Sequence, residues 1–150
     1  MDQELQDKLY AKYPELFSNK DKSAMESCMA WGCDVGNGWY EIISSVCWMI
    51  KQHERNKEDN KKYLEKNDPA RLASLPEYFP FKFDQVKEKY GGLRLYFSGG
   101  DEYAEGLVSM AEAMSYKICE VCGNAGKPNK GGWISTLCDS CRNKSYGSNT

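Results

Sequence analysis

The chain has 150 residues, 41% of them hydrophobic and 28% charged, with 20 Lys and Arg against 22 Asp and Glu for a net charge of -2. That length supports one domain and excludes a second of full size, while the apolar content excludes a disordered chain and no apolar run is long enough to span a bilayer. The near-balanced charge supplies no global field toward nucleic acid or anionic lipid, so any such binding rests on a local patch.

Asp2 is placed to cap a first helix running to about Tyr13, with Leu5, Leu9 and Tyr13 on one face and Pro14 closing it. The segment Met1 to Tyr13 has neither the basic start nor the apolar centre of a signal peptide, which sets an intracellular, cytoplasmic expectation. Leu16 and Phe17 follow as an apolar plug. From Cys28 to Trp39, bulky apolar residues are interspersed with Gly32, Gly36 and Gly38, a mixture suited to a tightly packed loop or short strand that enters a helix, with Asn37 as its cap. Ile42, Ile43, Val46 and Ile50 then recur at spacings of three and four, so this helix is expected to reach about Arg55 and to be the most buried. Between Lys51 and Arg71, seven basic and five acidic residues read as a solvated surface, with His53 a solvated residue near the helix end.

Pro69, Pro76 and Pro80 mark a connection, after which Phe81 to Tyr90 and Leu93 to Ser98 read as a hairpin about Gly91-Gly92. A two-residue loop pairs Tyr90 with Leu93, Glu88 with Leu95 and Val86 with Phe97. A three-residue loop pairs Glu88 with Arg94 and Val86 with Tyr96. The first aligns more apolar pairs and is preferred; it gathers Lys87, Lys89, Arg94 and Tyr96 on the opposite face. Gly99, Gly100 and Asp101 lead into a helix with Tyr103, Leu107, Met110, Ala111 and Met114 on one side. Trp133 to Leu137 is expected as a strand and Asp139 onward as a short helix. The fold class expected is α+β: a β-hairpin packed with three or four helices over residues 1–118, continuous with a metal-binding module over residues 119–150.

Of the seven cysteines, four fall as Cys119-x2-Cys122, fifteen intervening residues, and Cys138-x2-Cys141. This spacing lets two tight turns present four thiolates to one tetrahedral zinc ion, and Gly123 permits the positive φ that such a knuckle requires. Two vicinal redox pairs are the alternative, but thiol-redox motifs normally come singly. Four thiolates close the coordination shell, so the zinc is expected to be structural, supplying folding free energy of about 10 kcal/mol. Cys28, Cys33 and Cys47 lie among apolar residues and read as reduced, buried thiols.

The hairpin face of Lys87, Lys89, Arg94 and Tyr96 carries the groups that hold a phosphate and stack a base: ammonium groups, a planar guanidinium and an aromatic ring. The Gly36-Asn37-Gly38-Trp39 entry adds the free amides of a helix start, a second anion site, but lacks the Gly-Lys-Ser/Thr of a phosphate loop. Trp31, Trp39 and Tyr40 are core candidates that would also suit a flat heterocycle. With one histidine and no Gly-x-Ser-x-Gly, the inventory points to binding rather than catalysis.

Cys119-Glu-Val-Cys122-Gly123, the Gly-Gly-Trp133-Ile stretch and Leu137-Cys-Asp-Ser-Cys141-Arg-Asn-Lys together resemble the treble-clef arrangement of GATA-like zinc fingers. That likeness implies a nucleic-acid-binding regulator, although Lys127, Lys130, Arg142 and Lys144 exceed Glu120 and Asp139 by only two charges. Tyr13-Pro-Glu-Leu-Phe17, the Trp31-Gly to Gly38-Trp-Tyr40 block, Val86-Lys-Glu-Lys-Tyr-Gly-Gly-Leu-Arg94 with Tyr96, Met110-Ala-Glu-Ala-Met-Ser-Tyr116 and the Cys-x2-Cys-Gly segment are similar to a group of small bacteriophage and prophage proteins. The resemblance implies a phage accessory protein in the host cytoplasm, one that counters host defence by blocking a host protein or sequestering a nucleotide-derived immune signal. The function expected is therefore non-enzymatic binding of an anionic, phosphate-containing, nucleotide-like small molecule by Lys87, Lys89, Arg94, Tyr96, Gly36, Gly38 and Trp39. A zinc-finger DNA- or RNA-binding regulator and a protein-binding inhibitor or adaptor acting on a host protein are the alternatives, and no membrane partner is expected.

Overall fold

The computed structural model describes residues 1–146. Helix α1 (Gln3–Lys12) buries Leu9 and is followed by Tyr13, Leu16 and Phe17, all in the core. Asp2 does not cap α1 with its side chain: the carboxylate accepts from Asn37 Nδ2 at 2.7 Å, and the Asp2 N–H donates to Asn37 Oδ1 at 2.8 Å. Asn37 is diverted in turn, and Gly36 takes the cap position of the 3-10 turn Asn37–Trp39. A reciprocal pair thus ties the start of α1 to the start of the central helix.

That central helix, α2 (Tyr40–Asn67), buries Ile42, Ile43, Val46, Cys47 and Ile50. It runs well beyond Arg55, because the apolar period stops there but Lys and Glu continue to favour helix until Leu64 is again buried. Asp68 ends the run by capping α3 (Pro69–Ser74), its side chain accepting from the Arg71 N–H at 3.2 Å. His53 therefore sits mid-helix. Its Nε2 is 2.8 Å from Asp101 Oδ2 and its ring stacks on Tyr103 with centroids 4.1 Å apart, so it is not the solvated end residue expected.

Strands β2 (Lys82–Lys89) and β3 (Gly92–Ser98) form the antiparallel hairpin, and the two-residue strand β1 (Cys33–Asp34) joins β2 in parallel. The observed pairs are Lys89 with Gly92, Glu88 with Leu93, Lys87 with Arg94 and Val86 with Leu95, a register different from both that the sequence offered. The turn is Tyr90-Gly91, with φ of 52° and 78°, the left-handed pair that a tight two-residue hairpin requires. Gly92 opens β3, and its lack of a side chain leaves room for the Tyr116 ring, which occupies the place a Cβ would fill. Relative to the preferred register the slip is two residues, which keeps Lys87, Lys89, Arg94 and Tyr96 on one face, while Tyr90 leaves the strand for the turn and the register shifts again between Phe83 and Gln85. Val86, Leu93 and Leu95 are buried in the core with Trp39 and Ile43, and Lys87, Lys89, Arg94 and Tyr96 share the other face.

Helix α4 (Glu102–Ser115) closes the outer edge of β3, where the Leu93 N–H donates to Ser115 Oγ at 2.9 Å and the Leu95 N–H to Glu112 Oε1 at 3.0 Å. Its buried stripe is Ala104, Val108, Ala111 and Ser115, which leaves Met110 and Met114 exposed rather than core-facing. Small residues on that stripe let the helix approach closely. The chain ends in strands β4 (Lys127–Pro128) and β5 (Thr136–Leu137), paired antiparallel, and helix α5 (Asp139–Tyr146). Of the strand expected over Trp133 to Leu137, only Thr136 and Leu137 pair, and Trp133 to Ser135 lie outside β5. The fold is α+β, and no helix among the described residues is long and apolar enough to cross a membrane.

Asp101 joins two parts of this frame, accepting from the Ala104 N–H at 3.3 Å as the α4 cap while facing His53 on α2 and Lys57 Nζ at 3.3 Å. Burial opposes its charge, but the hydrogen bonds from His53, Ala104 and Lys57 outweigh it and hold the carboxyl below its ordinary value of 3.8. A carboxyl with a depressed folded-state pKa favours folding above its unfolded value and loses that contribution as pH falls through the folded one. Asp101→Ala should cost about 1 kcal/mol in urea unfolding at neutral pH. The gap between variant and parent should shrink as the pH is lowered through the acid range, and an undiminished gap there would place the effect in packing instead.

Candidate metal centre and ligand face

The two Cys-x2-Cys turns converge. The sulfur atoms of Cys119, Cys122, Cys138 and Cys141 all lie within 4.8 Å of one another, and Cys122 Sγ is 3.7 Å from Cys138 Sγ. A disulfide would need about 2.05 Å, whereas the edge of a tetrahedron with metal–sulfur bonds of about 2.3 Å is roughly 3.8 Å. The first turn is set by Gly123, at φ 79°, whose N–H donates to the Cys119 carbonyl at 2.9 Å. The second opens α5, and the Cys141 N–H points at Cys138 Sγ at 3.4 Å. Burial works against ionisation of Cys119, but backbone N–H groups of Cys138, Cys122 and Val121 bring that thiol down to about 7. The Cys141 thiol is pushed up to about 12 because its proton is shared with the Cys138 and Cys122 sulfurs. These four residues can hold a metal ion, which would take the place of the shared protons.

The cluster is bolted to the core at the start of α2. The Gly38 N–H donates to the Glu120 carbonyl at 2.7 Å, the Gly36 N–H to Glu120 Oε1 at 3.0 Å, and Trp39 Nε1 to the Ile118 carbonyl at 2.9 Å. A Cβ at Gly38 would collide with backbone atoms of Cys119, Glu120 and Gly123. The helix-start amides expected to receive a ligand anion are thus already taken, that of Gly36 by the Glu120 side chain and that of Gly38 by the Glu120 carbonyl, and Trp39 is fully buried. Gly36, Gly38 and Trp39 therefore serve as the seat of the cysteine module. Burial, with Glu88 nearby, raises the Glu120 carboxyl above its usual value despite the Gly36 hydrogen bond.

Lys87, Lys89, Arg94 and Tyr96 do come together, on an open face rather than in a cavity. Lys87 Nζ stands 5.6 Å from the centre of the Tyr96 ring. Arg94 is braced, its Nη2 donating to Tyr116 Oη at 2.9 Å and its Nη1 to the Leu93 carbonyl at 2.8 Å, and the Tyr116 hydrogen bond strengthens its hold on its proton. Asp34, the β1 partner of Lys87, borders the face on one side. Concavities lie elsewhere: one of ≈ 320 Å³ by Tyr10, Lys20 and Trp31, one of ≈ 280 Å³ by Tyr13, Leu16 and Lys51, and an apolar one of ≈ 270 Å³ between α2 and α4 lined by Val46, Met49, Leu107, Met110 and Met114.

Among the other cysteines, Cys33 and Cys47 are buried, and burial pushes the Cys33 thiol up to about 11 and that of Cys47 higher still. Cys28 is exposed, contrary to expectation, because the 3-10 turn Cys28–Trp31 buries Met29 instead. Trp31, a core candidate in the sequence, is exposed on the same turn. Arg142 is turned inward, its Nη2 donating to the Lys127 carbonyl at 2.7 Å. No protein-family model, curated protein or solved structure matches the chain.

The seat makes two substitutions informative. Gly38→Ala should destabilise the fold by about 1–3 kcal/mol through overpacking, and Glu120→Ala by about 1–3 kcal/mol by orphaning the Gly36 N–H. Glu120→Gln keeps the acceptor and sheds a charge that burial disfavours, so its unfolding midpoint in urea should match or exceed that of the parent.

Proposed function

We propose that the protein is a non-catalytic binding protein that takes a phosphate-containing, nucleotide-like ligand on the face of Lys87, Lys89, Arg94 and Tyr96, with a zinc ion at the four cysteines as a structural support. The observation that carries this reading is the co-facial placement of three cations and one half-exposed aromatic ring, with Arg94 braced by Tyr116. Bracing limits the rotamer entropy lost when the guanidinium meets a phosphate. Each charge-assisted hydrogen bond contributes about 1.5–3 kcal/mol and a stacked base about 1–3 kcal/mol, enough for micromolar affinity after the cost of association. The zinc supports the face indirectly: the module it closes packs against the hairpin turn, where Thr136 Oγ1 donates to the Gly91 carbonyl at 2.6 Å. A duplex-DNA reading through α5 draws less support, since Arg142 is engaged with the module's own backbone.

Elemental analysis should give about one zinc per chain, and Cys138→Ser should lower that content and the thermal midpoint together. Titration calorimetry against linear and cyclic nucleotides should detect binding that Arg94→Ala and Tyr96→Ala each weaken at least fivefold, with the ligand recovered intact after denaturation. Affinities unmoved by both substitutions would remove the face from the assignment, and a converted ligand would identify an enzyme.

A further inference from the structure

We infer that this face continues across the Tyr90-Gly91 turn to the Trp133 loop, and that the ligand of the whole surface is a single strand of nucleic acid. The inference rests on the nucleotide-face reading above and extends it from one nucleotide to several.

The first observation is a strained tyrosine. Tyr90 is the one residue other than glycine with positive φ among the described residues. Asn or Gly suits that turn position far better, and side chains in the left-handed region are strained. Core packing does not offset the strain, because Tyr90 is 70% exposed, with the Lys89 ammonium 5.6 Å from its ring centre. An aromatic ring held in the open at a conformational penalty fits a surface that something flat covers.

The second observation is Trp133, 83% exposed at a loop formed by Gly131 and Gly132, both at positive φ with open space around them. Asn129 Nδ2 donates to the Gly131 and Trp133 carbonyls at 2.9 Å each, so the loop is tied in place. The two features adjoin: Gly91 lies against the Ile134 side chain, and Thr136 bonds the Gly91 carbonyl. Tyr96, 42% exposed, lies four residues along β3 from Gly92, roughly 14 Å at about 3.4 Å per residue. Exposed rings thus stand on β3, on the hairpin turn and on the module loop that adjoins it, with Lys87 beside Tyr96, Lys89 beside Tyr90 and Lys130 within the Trp133 loop. Spaced aromatic planes alternating with cations on an open surface are what successive bases and phosphates of an unpaired strand engage, whereas a duplex keeps its base faces stacked inside.

The test uses the full chain in its zinc-loaded form, a fluorescein-labelled 12-nucleotide oligothymidylate, a 12-base-pair duplex and thymidine monophosphate. Anisotropy and calorimetry should show the oligothymidylate bound at least tenfold more tightly than the monophosphate or the duplex. Trp133→Ala and Tyr90→Asn should each weaken strand binding about 5- to 100-fold while leaving monophosphate affinity within about twofold. Tyr90→Asn should at the same time raise the thermal midpoint, since Asn tolerates the left-handed turn, which separates lost stacking from lost folding. Monophosphate bound as tightly as the strand, with both variants silent, overturns the strand inference and leaves the nucleotide face standing. Tighter binding to the duplex also overturns the inference, as does no binding of any of the three probes.

Discussion

The structure depends on the contact between the Cys119–Gly123 knuckle and the Gly36–Trp39 turn that begins α2. Glu120 supplies both a carbonyl and a carboxylate to amides that a helix start leaves unsatisfied, and Trp39 reaches back to the Ile118 carbonyl. Because Gly38 has no side chain, the two backbones meet directly. The consequence is energetic coupling. Whatever closes the cysteine cluster also fixes the entry to the most buried helix, so the module and the core stabilise one another despite their separation along the chain.

From that junction the ordering passes to the hairpin. The Glu120 N–H donates to the Thr136 carbonyl at 2.9 Å, and Thr136 Oγ1 donates to Gly91 at the tip of the turn. On the other side, Tyr116 covers Gly92 and braces Arg94, while Ser115 and Glu112 receive the edge amides of β3. Arg94 is thus braced by Tyr116 beside it, and the edge of the strand that carries Arg94 and Tyr96 is closed by α4. A preorganised surface of this kind loses less entropy on binding than one built from free side chains.

How much of this was legible in the sequence varies by the kind of signal. The four-cysteine cluster was, because its spacing is a local geometric statement about two tight turns. The α+β class and the shared face of Lys87, Lys89, Arg94 and Tyr96 were legible too, since strand alternation survives a register slip of two residues. The extent of α2 was not: its later half is held by propensity and one buried leucine rather than by a continuous apolar stripe.

Sequence by itself determined the thiol cluster, the fold class and the parity of the hairpin faces, all properties of short-range spacing. Only the tertiary structure decided which polar groups were already partnered. Asn37 and Asp2 each looked like a helix cap and instead satisfied one another, the Gly36 and Gly38 amides looked free and were taken by Glu120, and His53 found Asp101 far along the chain. Tyr116 likewise takes the space that a side chain at Gly92 would need. A hydrogen bond or a steric exclusion between distant residues leaves no periodicity in either segment, so it becomes visible only when the chain has brought them together.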